Sequence, residues 1–138
     1  MNTITLDTNA IQSIQLFERF TRARCRDYIP QETISLFIVE PDNIGKAIGK
    51  QAVHVKQLEQ ALRKKIRIIE YSAELRQFLE NVIAPLRIAR FEEHDGIILL
   101  TAKDLKTRGM LIGRNASHLR AYETIIKRHF PIQEIKVQ

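Results

Sequence analysis

A pattern of nine residues occurs twice in this chain. The first copy, IGKQAVHVK, spans Ile48 to Lys56, and the second, IGRNASHLR, spans Ile112 to Arg120. In both, an apolar residue and a glycine precede a cation, an amide, an alanine and, two positions later, a histidine. A glycine turn before a helix leaves unpaired backbone N–H groups at the positive end of the helix dipole, which suits a phosphate group. The pattern therefore predicts phosphate binding at two places.

A nucleotide-hydrolysing phosphate loop is the first alternative. The stretch GKAIGKQ, from Gly45 to Gln51, superficially resembles such a loop. That loop needs four residues between its glycines, followed by lysine and then serine or threonine. Here only three residues separate Gly45 from Gly49, and Gln51 replaces the hydroxyl that would hold magnesium. The second copy, Arg108 to Arg114, fails in the same way. We therefore predict no nucleotide hydrolysis.

Composition narrows the class of protein. The chain has 138 residues, a formal net charge of +6 and a pI of about 9.7, which favours an anionic partner such as nucleic acid. No apolar run approaches the length of a membrane span, and residues 1–12 lack the layout of a secretory signal. A single cysteine, Cys25, excludes an intramolecular disulfide. We expect a cytoplasmic protein, a monomer without membrane association.

The repeat also sets the domain organisation. Gly49 and Gly113 are 64 residues apart, and at this offset Glu59 matches Glu123. A match of this length predicts two similar units, residues 1–72 and 73–138. Each reads as helix, strand, strand, helix, helix, strand, so the predicted class is α+β. In each unit we expect a three-stranded mixed sheet with helices covering one face.

Hydrophobic periodicity supplies the approximate bounds of the elements. In the first unit we predict helices over 7–22, from 41 toward 48, and over 51–64, with strands over 24–29, 33–40 and 66–70. In the second we predict helices over 74–83, from Asp104 toward 112, and over 115–129, with strands over 86–91, 97–101 and 132–137. The pair Asp95-Gly96 predicts a hairpin turn.

This element order, with Ile-Gly at the helix–helix turn, resembles a KH domain of the prokaryotic, type II topology. Two such units in tandem resemble the KH pair of the NusA family of transcription factors, particularly its short archaeal form. The resemblance covers nearly the whole chain and is strongest in three stretches: LFERFTRARCRDYI, IGKQAVHVKQLEQALRKKIRIIEYS and IGRNASHLRAYETIIKRHFPIQEI. It implies single-stranded RNA as a partner, RNA polymerase as another, and a role in transcription termination or antitermination.

The resemblance also indicates the binding residues. In KH domains a GxxG loop clamps the backbone of about four nucleotides, and here both loops end in alanine. We expect Ala52 and Ala116 to have right-handed helical conformations, which alanine tolerates well. The alternative is an altered clamp, since a positive φ would cost alanine about 1–2 kcal/mol. We expect a groove between each loop and the middle strand, whose backbone would read the bases. The predicted RNA-binding residues are Ile48, Gly49, Lys50, Gln51, Ala52, Lys56, Ile112, Gly113, Arg114, Asn115, Ala116 and Arg120.

Several alternatives stay open. The rival function is a protein-interaction module on RNA polymerase or the ribosome, with weak or no RNA binding. His54 and His118 could contact RNA or be exposed polar residues early in a helix. The cations at 63–65 and 127–129 could complement a helix dipole or contact RNA. No metal-ligand spacing, cofactor motif or catalytic cluster is visible, so we predict neither an enzyme nor a cofactor.

Overall fold

The computed structural model describes residues 8–138. Asp7, where the first helix was expected to begin, and most of the segment assessed for a secretory signal lie outside the described residues. The Cα positions of the described chain group into two compact units, one ending at Ser72 and the other beginning at Ala73. Within residues 8–138, no helix combines the length and apolar character that a membrane crossing requires.

The first unit is a three-stranded sheet covered by helices. Its elements are α1 (Thr8–Thr21), β1 (Cys25–Pro30), β2 (Ile34–Val39), α2 (Ile44–Ile48), α3 (Val53–Leu62) and β3 (Lys65–Glu70), with a 3-10 turn, Lys50–Ala52, between α2 and α3. The sheet order is β1-β2-β3, and β2 runs antiparallel to β1 and parallel to β3. In the core, Phe17 of α1 stacks on Phe37 of β2 with ring centroids 4.5 Å apart, and Leu58 of α3 is fully buried.

The second unit repeats the plan. Its elements are α4 (Leu75–Ile83), β4 (Ile88–His94), β5 (Ile97–Ala102), α5 (Leu105–Ile112), α6 (Ser117–Lys127) and β6 (Glu134–Val137), with a 3-10 turn, Arg114–Ala116, between α5 and α6. The sheet order is β4-β5-β6, with one antiparallel and one parallel pairing. The predicted α+β class, with two three-stranded mixed sheets, is confirmed.

Two local predictions in the second unit are also confirmed. Asp95 and Gly96 both have positive φ, 52° and 83°, which is the conformation of a type I′ hairpin turn. Asp104 caps α5, because its Oδ1 accepts a hydrogen bond from the Thr107 N–H at 2.7 Å. That hydrogen bond holds the pKa of the Asp104 carboxyl below its usual value.

Some predicted bounds and one core position are wrong. The long helices begin two residues later than predicted, at Val53 and Ser117, because the preceding turns are left-handed. In the second unit the first strand begins at Ile88 rather than at 86, and the last at Glu134 rather than at 132. The helical spacing of Val55, Leu58, Ala61 and Leu62 predicts that Ala61 belongs to the apolar stripe of α3, but Ala61 is exposed. Leu58 and Leu62 already form the core-facing surface of the helix, so Ala61 can face solvent without leaving a gap in the core.

Candidate nucleic-acid interface

The two loops, Gly49–Ala52 and Gly113–Ala116, share an unusual backbone, and we call them the GxxA loops. In the first, φ is 78° at Gly49, 56° at Gln51 and 59° at Ala52. The second follows closely, with φ of 71°, 55° and 61° at the matching positions. A left-handed conformation costs a residue with a Cβ about 1–2 kcal/mol. Backbone strain of this kind clusters at functional sites, and in this chain it occurs in both loops.

The expectation of right-handed helical conformations at Ala52 and Ala116 is wrong. Both alanines are left-handed and act as the N-caps of α3 and α6. The physical reason is the tightness of the connection. Only three residues separate Gly49 from the first residue of α3, so the chain reverses through consecutive left-handed residues before the helix starts. The small methyl group of alanine is the least obstructive side chain after glycine at such a position.

Each GxxA loop presents backbone N–H groups without an acceptor. The Ala52 N–H donates to the Gly49 carbonyl at 3.2 Å, and the Ala116 N–H donates to the Gly113 carbonyl at the same distance. By contrast, the N–H groups of the two residues between, Lys50-Gln51 and Arg114-Asn115, meet no acceptor within residues 8–138. In each loop a residue outside the positive-φ region precedes a left-handed one. Successive N–H groups in a turn of this kind form a nest, a concavity that binds anions.

Charge and apolar surface lie beside these N–H groups. Lys50 and Arg114 are exposed and form no ion pair among the described residues. Ile48 and Val53 flank the first loop with 36% and 41% of their surface exposed. Beside the second loop Ile112 is half-buried and Met110 is 47% exposed. A phosphate can therefore bind at the loop while an attached base contacts apolar side chains next to it.

The two repeated histidines hold the loops in shape. Nδ1 of His54 lies 2.9 Å from the Lys46 carbonyl oxygen, and Nδ1 of His118 lies 2.8 Å from the Met110 carbonyl oxygen. Because a carbonyl only accepts, Nδ1 carries the proton and donates. Each ring thereby satisfies a carbonyl at the C-terminal end of the helix before the loop. The ring also lies against the loop glycine, where a Cβ on Gly49 would stand 2.7 Å from His54 Nδ1.

Removing this brace should loosen the loop. We expect His54→Ala to lower the free energy of unfolding by about 1 kcal/mol, since it deletes one hydrogen bond and leaves the Lys46 carbonyl without its partner. His54→Asn should restore much of the loss, because its amide can donate from nearly the same place. Urea denaturation of the three proteins measures the effect. Equal stability of His54→Ala and the unaltered protein would contradict the bracing role.

A glutamate that occurs in both copies of the repeat, Glu59 and Glu123, has a structural role that the sequence did not predict. Glu59 on α3 accepts a hydrogen bond from the Ile66 N–H at 3.1 Å, and Glu123 on α6 accepts one from the Ile135 N–H at 2.7 Å. Each carboxylate therefore ties the long helix to the last strand of its unit. The repeat itself could have indicated this role, since Glu59 and Glu123 occupy matching positions. A glutamate on a helix is ordinarily expected to be solvent-exposed, so the sequence did not single them out.

The expectation that the middle strand reads the bases is wrong. β2 and β5 are also central in their sheets, hydrogen-bonded on both sides, so their backbones cannot offer an open edge. The edge strands beside the loop helices are β3 and β6. α2 and α3 contact β3, and α5 and α6 contact β6, while α5 also contacts the central strand β5. The open backbone edges beside the loop helices therefore belong to β3 and β6.

The two helix cations predicted to bind RNA differ. Lys56 forms no ion pair within the described chain. Arg120, its counterpart, donates from Nη1 to both carboxylate oxygens of Glu123, at 2.9 and 2.8 Å, and lies 4.0 Å from Glu134. Lys56 is thus available to a phosphate, whereas Arg120 is held by carboxylates.

The remaining candidates for chemistry do not form a site. Among residues 8–138 no group of three histidine, cysteine, aspartate or glutamate side chains is arranged to hold a metal ion. Burial raises the pKa of the Cys25 thiol to about 12, so this residue is a poor nucleophile at neutral pH. Its Sγ donates a hydrogen bond to the Asp27 carbonyl oxygen at 3.3 Å, so the thiol has a structural role.

Comparison with known proteins supplies the family. No protein-family model matches the chain. The curated "Probable transcription termination protein NusA" of Methanocaldococcus jannaschii is 32% identical over 145 residues, which cover 99% of this chain and 76% of the relative. Proteins of the same name from Methanococcus vannielii and Halococcus morrhuae are 40% identical over 85 residues (62% of this chain, 49% of the relative) and 26% identical over 136 residues (97% and 98%). The crystal structure of APE1850 has the same fold, with a TM-score of 0.79, 21% identity, and coverage of 96% of this chain and 100% of that one.

The fold and the paired loops define the class: this is a protein of two α+β units, each consistent with a KH-like domain. The relatives then identify the family within that class. The chain belongs to the archaeal family of NusA transcription termination proteins, as the 32% identity across nearly its full length shows.

Proposed function

We propose that this protein is a transcription termination or antitermination factor that binds single-stranded RNA through two tandem type II KH domains, residues 1–72 and 73–138. The observation that carries the proposal is the GxxA loop itself. Twice, the chain keeps a strained turn with two unpaired N–H groups and an exposed cation. These groups suit the phosphates of an RNA backbone. The RNA-binding residues are the twelve predicted from the repeat, with Arg120 the weakest because Glu123 and Glu134 hold it.

In this mechanism each loop fixes one phosphate and leaves the attached base over the apolar surface beside it. In the first unit Ile48 and Val53 supply that surface. The polar edges of the bases then meet the edge strands β3 and β6 rather than the central strands. Only six phenylalanines and three tyrosines are present, and Phe17, Tyr28, Phe37 and Phe78 are buried. Stacking on aromatic platforms is therefore not the basis of the proposed binding.

Titration of the protein with a short single-stranded RNA of about six nucleotides tests the proposal. We expect saturable binding that weakens as salt rises, with a log–log slope of about −0.7 for each phosphate contacted. Duplex RNA of the same sequence is the control, because its paired bases cannot splay into the groove. Equal affinity for the two forms would contradict the proposal, and so would no binding to the single strand at low salt.

A second function, contact with a protein of the transcription machinery, is favoured by one observation in the second unit. On α5, Leu105 is 85% exposed, more than any other large apolar side chain among residues 8–138. Covering this side chain would remove apolar surface from water, which favours contact with a protein partner. RNA polymerase is the partner we propose for this surface. Leu105→Ser would weaken binding to purified archaeal RNA polymerase and leave RNA affinity unchanged if this function holds, whereas unchanged binding to the polymerase would contradict it.

A further inference from the structure

The first unit has a second cationic surface, away from its GxxA loop. It lies at the C-terminal end of α3 and the adjoining turn of α1, where two shallow depressions of about 470 and 660 Å³ share Gln60 as a lining residue. We call this surface the basic face, and we define it by six cations: Arg19, Arg22, Lys56, Arg63, Lys64 and Lys65.

The basic face lacks charge neutralisation. None of its six cations forms an ion pair with a carboxylate among residues 8–138. Glu59 is the one acidic residue lining the two depressions, and its Oε2 accepts the Ile66 N–H. Six like charges around one concave surface raise the local positive potential, which attracts and concentrates anions.

The second unit provides an internal comparison, because the repeat places cations and a histidine at the positions that match Lys56 and residues 63–65; Arg19 and Arg22 instead match the apolar Ile83 and Leu86. There, Glu123 is 7% exposed and pairs with both Arg120 and Lys127, at 2.8 and 3.7 Å. His129, which matches Lys65, is 1% exposed, and its ring lies edge-on to Phe78 at 5.3 Å. These charges and this ring stabilise the second unit, whereas their counterparts in the first unit face solvent.

The geometry of α3 connects the basic face to the loop. Lys56 and Gln60 are four residues apart, so they lie along one side of α3. The helix ends at Leu62 and Arg63 is left-handed, so Lys64 lies in the turn that follows, where it lines the same depression as Lys56 and Gln60. Lys56 comes one turn after Ala52. With a rise of 1.5 Å per residue, α3 extends about 15 Å from the loop to the turn that carries Lys64. An RNA strand held by phosphates at the loop can continue along this helix, with its next phosphates facing the basic face.

We propose that the basic face is a second phosphate-binding surface, which holds the RNA backbone beyond the nucleotides bound at the first GxxA loop. The first unit therefore binds a longer RNA segment than the second. This inference rests on the proposed function, because it assumes that the loop binds RNA. The partner is a polyanion whose charges are spaced along a chain, and the track from loop to helix end favours RNA over an acidic protein.

The test compares two lengths of RNA. In Lys64→Gln/Lys65→Gln, affinity for a single strand of about 20 nucleotides should fall roughly ten-fold at low salt, and the log–log salt slope should decrease in magnitude by about 1.4 for two lost contacts. Affinity for a strand of about six nucleotides, which reaches little beyond the loop, should change less than two-fold. The matched control is Lys103→Gln/Lys106→Gln, which removes two exposed positive charges from the second unit and should alter the 20-nucleotide affinity less than two-fold.

The outcomes separate this inference from the function on which it rests. Failure of the unaltered protein to bind the six-nucleotide strand would contradict the proposed function itself. Normal binding of that strand, with no difference between Lys64→Gln/Lys65→Gln and its control on the long strand, would overturn only the basic-face proposal. Poly-glutamate is the final probe: if the double substitution abolished poly-glutamate binding but left RNA binding intact, the surface would be assigned to an acidic protein and the proposal overturned.

Discussion

Reversing the charge of both GxxA loops is expected to abolish RNA binding and leave the fold intact. In the variant Lys50→Asp/Gln51→Asp/Arg114→Asp/Asn115→Asp, affinity for single-stranded RNA should fall at least 100-fold. The four side chains are exposed, so their replacement disturbs no core contact. Carboxylates would stand beside the N–H groups that we assign to phosphate, and repulsion between like charges would replace attraction. Fluorescence anisotropy with a labelled six-nucleotide strand measures the change.

A matched variant separates the loop from general electrostatics. Lys50→Asp/Gln51→Asp lowers the net charge of the protein by three units within one loop. Asn9→Asp/Lys106→Asp lowers the net charge by the same amount outside the loops. Asn9 and Lys106 lie in the first turns of α1 and α5, where carboxylates favour the helix. We expect the loop pair to lose far more affinity than this control. Similar losses in both would show that net charge alone governs binding, and would contradict the assigned role of the loops.

Replacing Gly113 with alanine should cause the largest loss of stability of any substitution in the loops. Gly113 has φ of 71° and ψ of 174°, a region open almost only to glycine. An added Cβ would stand 2.6 Å from His118 Cγ and 2.9 Å from the His118 backbone nitrogen. Backbone cannot move aside as a side chain can. We expect Gly113→Ala to lower the free energy of unfolding by about 3 kcal/mol, from backbone strain and the clash together.

The other glycines provide graded controls for this experiment. At Gly49 the three atoms nearest to an added Cβ belong to the side chains of His54 and Val53, so Gly49→Ala should cost less than Gly113→Ala. Gly109 lies within α5 with open space around it, and Gly109→Ala should stabilise the protein by about 0.5–1 kcal/mol. Urea denaturation of the three variants gives the order. If Gly113→Ala were as stable as Gly109→Ala, the described backbone of the second loop would be wrong.

Element order and the position of the loops could be predicted from the sequence, because both depend on local patterns. Apolar residues at helical spacing identified α4 and α6, and the Asp95-Gly96 pair identified the hairpin. The repeat pointed to the loops without reference to any structure. These signals lie within a few residues of one another, which is the range over which periodicity and turn chemistry are informative.

The backbone of the loops could not be predicted, because it opposes intrinsic preference. Alanine is the best helix former, and a helix begins immediately after each loop, so a helical conformation at Ala52 was the natural expectation. The closure of the turn overrides that preference. The partner of His54 was hidden for a similar reason, since its ring reaches a carbonyl eight residues earlier, across the turn.

The difference between the two units depends on burial, which the repeat conceals. Glu59 and Glu123 match in sequence, and so do Lys56 and Arg120. Only the structure shows that Glu123 is nearly buried and pairs with two cations, whereas Lys56 faces solvent. Such differences arise from packing between residues distant in sequence, so a pattern of residue types cannot reveal them.

The central claim, that RNA phosphates bind the unpaired N–H groups of the GxxA loops, is tested most directly by nuclear magnetic resonance. Backbone amide resonances would be followed while a six-nucleotide single-stranded RNA is added to the unaltered protein. We predict the largest shifts at the amides of Lys50, Gln51, Arg114 and Asn115, because a phosphate oxygen would accept their hydrogen bonds. Binding of the RNA with these four amides unmoved, and with the shifts elsewhere, would contradict the account.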